Sequence, residues 1–144
     1  MTADRVVHQC GAARVESAEL RERNFGDLRG TPYDQLGDID IFAPNYAPPN
    51  GESWPVFHQR VDRAWSLITR HADKAAGDLC VITHGLVLRS LFERRLDLGD
   101  ITLEEELVVH NTAITEVTSA APWQVLRLAE IPHLDGDVHD VAPV

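Results

Sequence analysis

The hydrophobic period of this chain changes twice between residues 53 and 95, and that change constrains the fold more than any other feature. After Ser53, a residue suited to N-capping, and Pro55 in the first turn, Phe57, Val61, Ala64, Trp65, Ile68 and Ala72 recur at helical spacing, which predicts an amphipathic helix from 53 to about 71. Gly77-Asp78 breaks it. Leu79-Cys80-Val81-Ile82-Thr83 is then a short continuous apolar run, as in a strand buried on both faces, and Cys80 within it reads as a small buried hydrophobe. Leu88, Leu91 and Phe92 return to helical spacing over 86–95, and the basic residues that close this stretch suit a helix C-terminus. Helix, buried strand and helix in succession predict an α/β domain with a parallel or mixed sheet, and they place His84-Gly85 at a strand-to-helix turn.

The flanks add less. Ala3, Val6 and Val7 can share one face of a helix over about 2–8. Residues 31–51 hold Pro32, Gly37, Pro44, Pro48, Pro49 and Gly51, so regular structure is interrupted and the segment is long enough to wall a site. Residues 113–118 and 123–128 alternate polar and apolar side chains around Ser119-Ala120-Ala121-Pro122, which predicts a β-hairpin. Asp97 to Glu106 reads as a polar connection or short helix, with Glu104-Glu105-Glu106 a solvated face, and Trp54, Trp65 and Trp123 read as core or rim aromatics. A length of 144 residues allows one core, so the expected organisation is a single domain over 1–134 with a flexible tail over 135–144.

Charge and cysteines exclude several functions. A formal net charge of −10, from 23 acidic and 13 basic residues, argues against nucleic-acid and anionic-membrane partners, so any anion site must be assembled locally. Cys10 and Cys80 form no CxxC or Cys/His pattern, which supports neither zinc nor a disulfide framework. His and Asp alternate over 133–140, where a solvated tail is a better reading than a metal site. Without an apolar run of 18 residues or a signal-type start, the expected compartment is the cytoplasm.

The turn at Thr83-His84-Gly85 is where chemistry is expected. Ligands collect at the carboxyl ends of strands in open α/β sheets, where helix N-termini direct N–H groups outward. Gly85 lets the backbone approach an anion, Leu86 follows it in the same helix turn, and the His84 imidazole can donate to a phosphoryl oxygen or exchange a proton near neutral pH. The second candidate is Glu22, set among Arg21 and Arg23 and leading into Phe25 and Gly26, where a carboxyl group can deliver a proton to a departing alkoxide. A turn-capping histidine and a solvated charged turn are the bland alternatives for these two segments.

Four pieces in order resemble the histidine phosphatase superfamily, also called phosphoglycerate mutase-like: Leu-Arg-Glu-Arg-Asn-Phe-Gly-Asp-Leu-Arg-Gly at 20–30, Pro-Pro-Asn-Gly-Glu-Ser at 48–53, Val-Ile-Thr-His-Gly at 81–85 and Asn-Thr-Ala-Ile-Thr-Glu-Val at 111–117. Ile-Pro-His-Leu at 131–134 is a weaker fifth. The resemblance implies a three-layer α/β/α sandwich with a mixed, mostly parallel sheet, and hydrolysis of a phosphate monoester through phosphohistidine. It assigns catalysis to Glu22 and His84 and substrate binding to Gly85 and Leu86, with a small phosphorylated substrate and neither metal nor cofactor. It favours a phosphatase over a mutase, because mutases of the family carry a long arginine-bearing insertion where residues 31–50 hold no Arg or Lys. Tyr33, Ile39, Ile41, Phe42 and Tyr46 there suit a less charged ester, and equally a structural role in packing.

The resemblance is incomplete at one place. The family's nucleophile lies in Arg-His-Gly, and none of the seven histidines stands between Arg and Gly. Arg5 and Arg14 read as surface residues rather than substitutes for the family's arginines. The expectation is therefore an N-terminally truncated member that lacks the first βα unit, either an enzyme lineage or a catalytically inactive pseudophosphatase that binds a phosphorylated ligand or a protein partner. Leu79–Thr83 would then lose a neighbouring strand, and self-association through the exposed sheet edge is expected.

Overall fold

The computed structural model describes residues 2–37, 39–103 and 109–134. The side chain of Tyr33, the Glu104-Glu105-Glu106 face, and the tail at 135–144 with its candidate metal ligands lie outside the described residues. Among the described residues three α-helices come first: α1 (Thr2–Cys10), α2 (Trp54–Ala72) and α3 (Gly85–Arg94). A hairpin of β1 (Ile114–Val117) and β2 (Val125–Glu130) follows, and 3-10 turns at Ala18–Leu20, Gly26–Leu28 and Tyr33–Gln35 shape the stretch between α1 and α2. The architecture is α/β.

α2 forms where the 3.6-residue period places it. Phe57, Val61 and Ala64 are its buried stripe, Pro55 sits in the first turn, and Ser53 is the N-cap, though its hydroxyl makes no capping bond. α3 buries Leu86, Val87, Ser90, Leu91 and Phe92, so Leu91 and Phe92 of the predicted stripe face inward, Leu88 is half-buried, and Leu86, Val87 and Ser90 join the buried face. The two helices pack through a core of Phe57, Val61, Leu86, Val87 and Leu91, against which Leu20, Phe25, Trp54, Trp65, Ile68 and Leu96 lean. α1 buries none of its residues; Ala3, Val6 and Val7 are half-covered while the rest of the helix is exposed. Its Asp4 meets Arg14, and both Arg5 and Arg14 are on the surface.

The sheet differs from expectation. Among the described residues the paired strands are β1 and β2, antiparallel, with Ile114 opposite Glu130 and Val117 opposite Val125. Asp97 adds an isolated parallel bridge to Gln124. Leu79–Thr83 forms no regular element and pairs with no strand, so the mostly parallel sheet of a three-layer sandwich is not present among the described residues. The physical reason is local: a parallel ladder needs a second strand beside it, and none of the described segments supplies one. The same lack uncovers the run. Leu79 is 41% exposed and Ile82 39%, and Cys80, expected to be buried, is exposed.

Candidate functional site

Glu22 reaches the N-terminus of α3, the helix that His84 caps. His84 is the N-cap of that helix, in extended conformation, with its side chain exposed. Leu86 N–H, in the first turn, donates to Glu22 Oε2 at 3.3 Å, and Arg23 N–H donates to Glu22 Oε1 at 2.8 Å. The Leu86 amide, expected to face a substrate oxygen, thus holds a carboxylate at the place where a helix terminus attracts an anion. Gly85 lies between these two partners as the first residue of the helix.

Glu22 belongs to an irregular segment, yet its backbone is tightly held. Arg60 of α2 donates through Nη1 to the carbonyls of Glu19 at 2.7 Å and Arg21 at 2.8 Å, and through Nη2 to that of Glu22 at 3.1 Å. Thr83 Oγ1 donates to the Leu20 carbonyl at 2.8 Å. The carbonyls of residues 19, 20, 21 and 22 therefore all find side-chain donors from other elements, which is how a stretch without a ladder satisfies its polar backbone.

Glu52 completes this arrangement. Its carboxylate takes Arg60 Nε and Nη2, both at 2.7 Å, and the Asn24 amide at 2.8 Å, while the Glu52 amide returns to the Asn24 carbonyl at 2.8 Å. The pair is largely withdrawn from water, with side-chain exposures of 12% for Arg60 and 15% for Glu52. The Arg60 hydrogen bond first of all holds the Glu52 carboxyl below its ordinary range, and the same bond raises Arg60.

Two glycines allow the 24–27 and 49–52 segments to touch. Gly26 has φ +54°, and a Cβ there would stand 1.9 Å from the Pro49 carbonyl oxygen; at Gly51 it would stand 2.5 Å from the Asn24 oxygen. Asp27 N–H to Pro49 O at 3.0 Å and Asn50 Nδ2 to the Asp27 carboxylate at 3.0 Å close the junction.

The arginines beside Glu22 divide. Arg21 is exposed. Arg23 is 2% exposed and turns inward, donating to the carbonyls of Ile41, Tyr46 and Glu52 with its guanidinium 3.8 Å from the Trp54 ring centre. Burial lowers its pKa from the ordinary value. Arg23 therefore fastens the 41–46 wall and is unavailable to a ligand. A cavity of about 190 Å³ lies next to that wall, lined by Phe25, Leu28, Arg29, Gly30, Thr31, Leu36 and Ile41; neither Glu22 nor His84 lines it. No cluster of three metal-ligating side chains occurs among the described residues.

Sequence reading named Glu22, His84, Gly85 and Leu86 but not Arg60. Its partner Glu52 stands inside the quoted Gly-Glu-Ser piece, whereas Arg60 lies two helical turns further on, with no local pattern to mark it.

The model of the histidine phosphatase superfamily (branch 1) matches residues 1–130. The chain belongs to this superfamily. Among similar histidine phosphatase superfamily sequences, "Phosphoglycerate mutase-like protein 4" of Arabidopsis thaliana is 28% identical over 93% of this chain and 61% of its own length. "Probable phosphoglycerate mutase GpmB" of Klebsiella pneumoniae (strain 342) is 26% identical over 96% of this chain and 70% of its own. The chain thus spans about three fifths of the first relative and under three quarters of the second. No solved structure gives a significant match.

Proposed function

We propose that this histidine phosphatase superfamily chain carries the proton-transfer half of a site that hydrolyses a phosphate monoester. Glu22 serves as general acid and then base, and His84 with Gly85 and Leu86 at the α3 terminus faces the phosphoryl group. The observation that supports this most is the bond between the Leu86 amide and Glu22 Oε2. A helix N-terminus attracts anions, so this bond puts a carboxyl group where a phosphate ester is expected to dock. Residues 31–50, without Arg or Lys, suit an ester of low charge and favour a phosphatase over a mutase.

The same reading takes residues 1–134 as one cytoplasmic domain of an incomplete three-layer sandwich, in which Leu79–Thr83 is the strand left without its neighbour. No helix among the described residues is long and apolar enough to cross a membrane. A second reading is a domain that binds a phosphorylated ligand without turning it over, and the observation in its favour is that no histidine stands between Arg and Gly.

Turnover of p-nitrophenyl phosphate, with alkaline rapid-quench trapping of phosphohistidine, separates the two. On the enzymatic reading Glu22→Gln lowers the rate roughly 10²- to 10⁴-fold, the range for loss of a general acid. Vanadate binding weakened by His84→Asn, without turnover, supports the second reading; absence of both turnover and binding defeats both.

A further inference from the structure

We infer that Arg60, paired with Glu52, is a positioning residue that holds the Glu22 carboxylate against the N-terminus of α3. The inference rests on the reading of Glu22 as the proton-transfer group, and it concerns where that group stands rather than what it does.

A guanidinium has five N–H donors in a fixed plane, and here each has an acceptor. Nε meets Glu52 Oε1, Nη1 meets the Glu19 and Arg21 carbonyls, and Nη2 meets the Glu22 carbonyl and Glu52 Oε2. Glu52 orients the plane by a two-point contact, and the opposite side of the plane gathers three carbonyls of one irregular segment. No regular hydrogen-bond ladder holds residues 21–24; the Arg60 side chain ties the Glu22 backbone to α2, with Thr83 holding Leu20 on one side and Arg23 and Asn24 anchored on the other. With its carbonyl fixed to Arg60, Glu22 directs its carboxylate the other way, to the Leu86 amide. Lysine cannot reproduce this, since an ammonium has three donors that do not lie in a plane.

Glu52 is the second carboxylate of the neighbourhood, and the same network removes it from chemistry. Both oxygens are occupied by Arg60 and Asn24 N–H, whereas Glu22 is held by two backbone amides alone. The guanidinium therefore separates the two glutamates into a fixed counter-ion and a group placed at the helix terminus that His84 caps.

The test reads the Leu86 amide by ¹H–¹⁵N NMR on the full chain and does not depend on turnover. Glu22→Gln moves the Leu86 amide proton, because a charge-assisted bond becomes a neutral one. In an Arg60→Met background the same Glu22→Gln change is expected to move it by less than half as much, and in Arg60→Lys by an intermediate amount. A full-sized response in folded Arg60→Met overturns the inference. If Arg60→Met fails to fold, Arg60→Lys and Glu52→Gln decide, and full-sized responses in both overturn it. The absence of any Leu86 response to Glu22→Gln in the otherwise unaltered chain also overturns it. Unchanged p-nitrophenyl phosphate turnover in Glu22→Gln, together with the expected NMR coupling, refutes the acid role and leaves the positioning intact.

Discussion

Glu22 and Glu52 have the same side chain, and their neighbours give them different capacities. Glu52 is neutralised by a planar cation that meets both of its oxygens, so its loss costs stability; Glu22 is held by amide dipoles, so its charge remains open to exchange with another anion. The glycines that bring these segments together give a sharp stability prediction. Gly26→Ala must accommodate a Cβ 1.9 Å from a carbonyl oxygen at φ +54°, which no side-chain movement relieves. A loss of at least about 2 kcal/mol is expected, from left-handed strain plus backbone displacement, read as a lowered urea midpoint. Gly77→Ala, with open space around the added carbon, is the control and is expected to lie within about 1 kcal/mol of the parent. Thr83→Val tests the other tie: losing the bond to the Leu20 carbonyl is expected to cost about 1 kcal/mol by the same measurement.

Among the elements, α2 and α3 carry the stability, because nearly all of the core lies between them. Phe57→Ala is expected to cost about 3–5 kcal/mol, the range for emptying a fully buried aromatic site, and thermal or urea unfolding checks it. The seam also contains a titratable histidine. His58 Nδ1 lies 2.9 Å from Ser90 Oγ, with the ring stacked on Trp54 at 5.7 Å. Burial pushes the His58 pKa down, and nearby Arg94 adds to the effect. A histidine whose folded pKa is depressed leaves the unfolded chain binding more protons as the pH falls. Its contribution is therefore fully present above the ordinary value of about 6.5 and is lost as the pH falls through that value towards the lower folded one. The urea midpoint is expected to drop between pH 7.5 and pH 5.5, and His58→Gln to flatten that drop; an unchanged slope in the variant would assign the pH effect elsewhere. Both helices were legible because a 3.6-residue apolar repeat needs only its own neighbours to be recognised. The burial of Val87 and Ser90 was not, because it comes from packing against α2, Val87 in the shared core and Ser90 beside His58.

At the scale of the whole molecule, the decisive feature is the run at 79–83. It lies between the two core helices in sequence, carries Leu79 and Ile82 on the surface, and ends on the Thr83 that holds Leu20. Backbone without ladder partners and with exposed apolar side chains offers a contact surface to another chain. Self-association that rises with protein concentration is expected in sedimentation velocity, and the double substitution Leu79→Lys and Ile82→Lys is expected to suppress it. A net charge of −10 opposes close approach of two copies, so added salt should promote the association. A monodisperse monomer across both concentration and salt series would count against the exposed edge as a contact surface.

Period and turn chemistry by themselves determined the helices α1, α2 and α3, the hairpin and the position of His84 at a helix start, since each depends on residues a few places apart. The motif pieces determined the superfamily. Only the tertiary structure decided that Glu22 reaches the Leu86 amide, 64 residues away, that Arg60 gathers the carbonyls of 19, 21 and 22, and that Arg23 turns inward. These are contacts between distant segments, fixed by how α2 and α3 pack, and a guanidinium's partners leave no periodic trace in the chain that carries it. The 79–83 run shows the converse: its apolar pattern suits a strand, but a strand forms only where a second one lies alongside, and none of the described segments does.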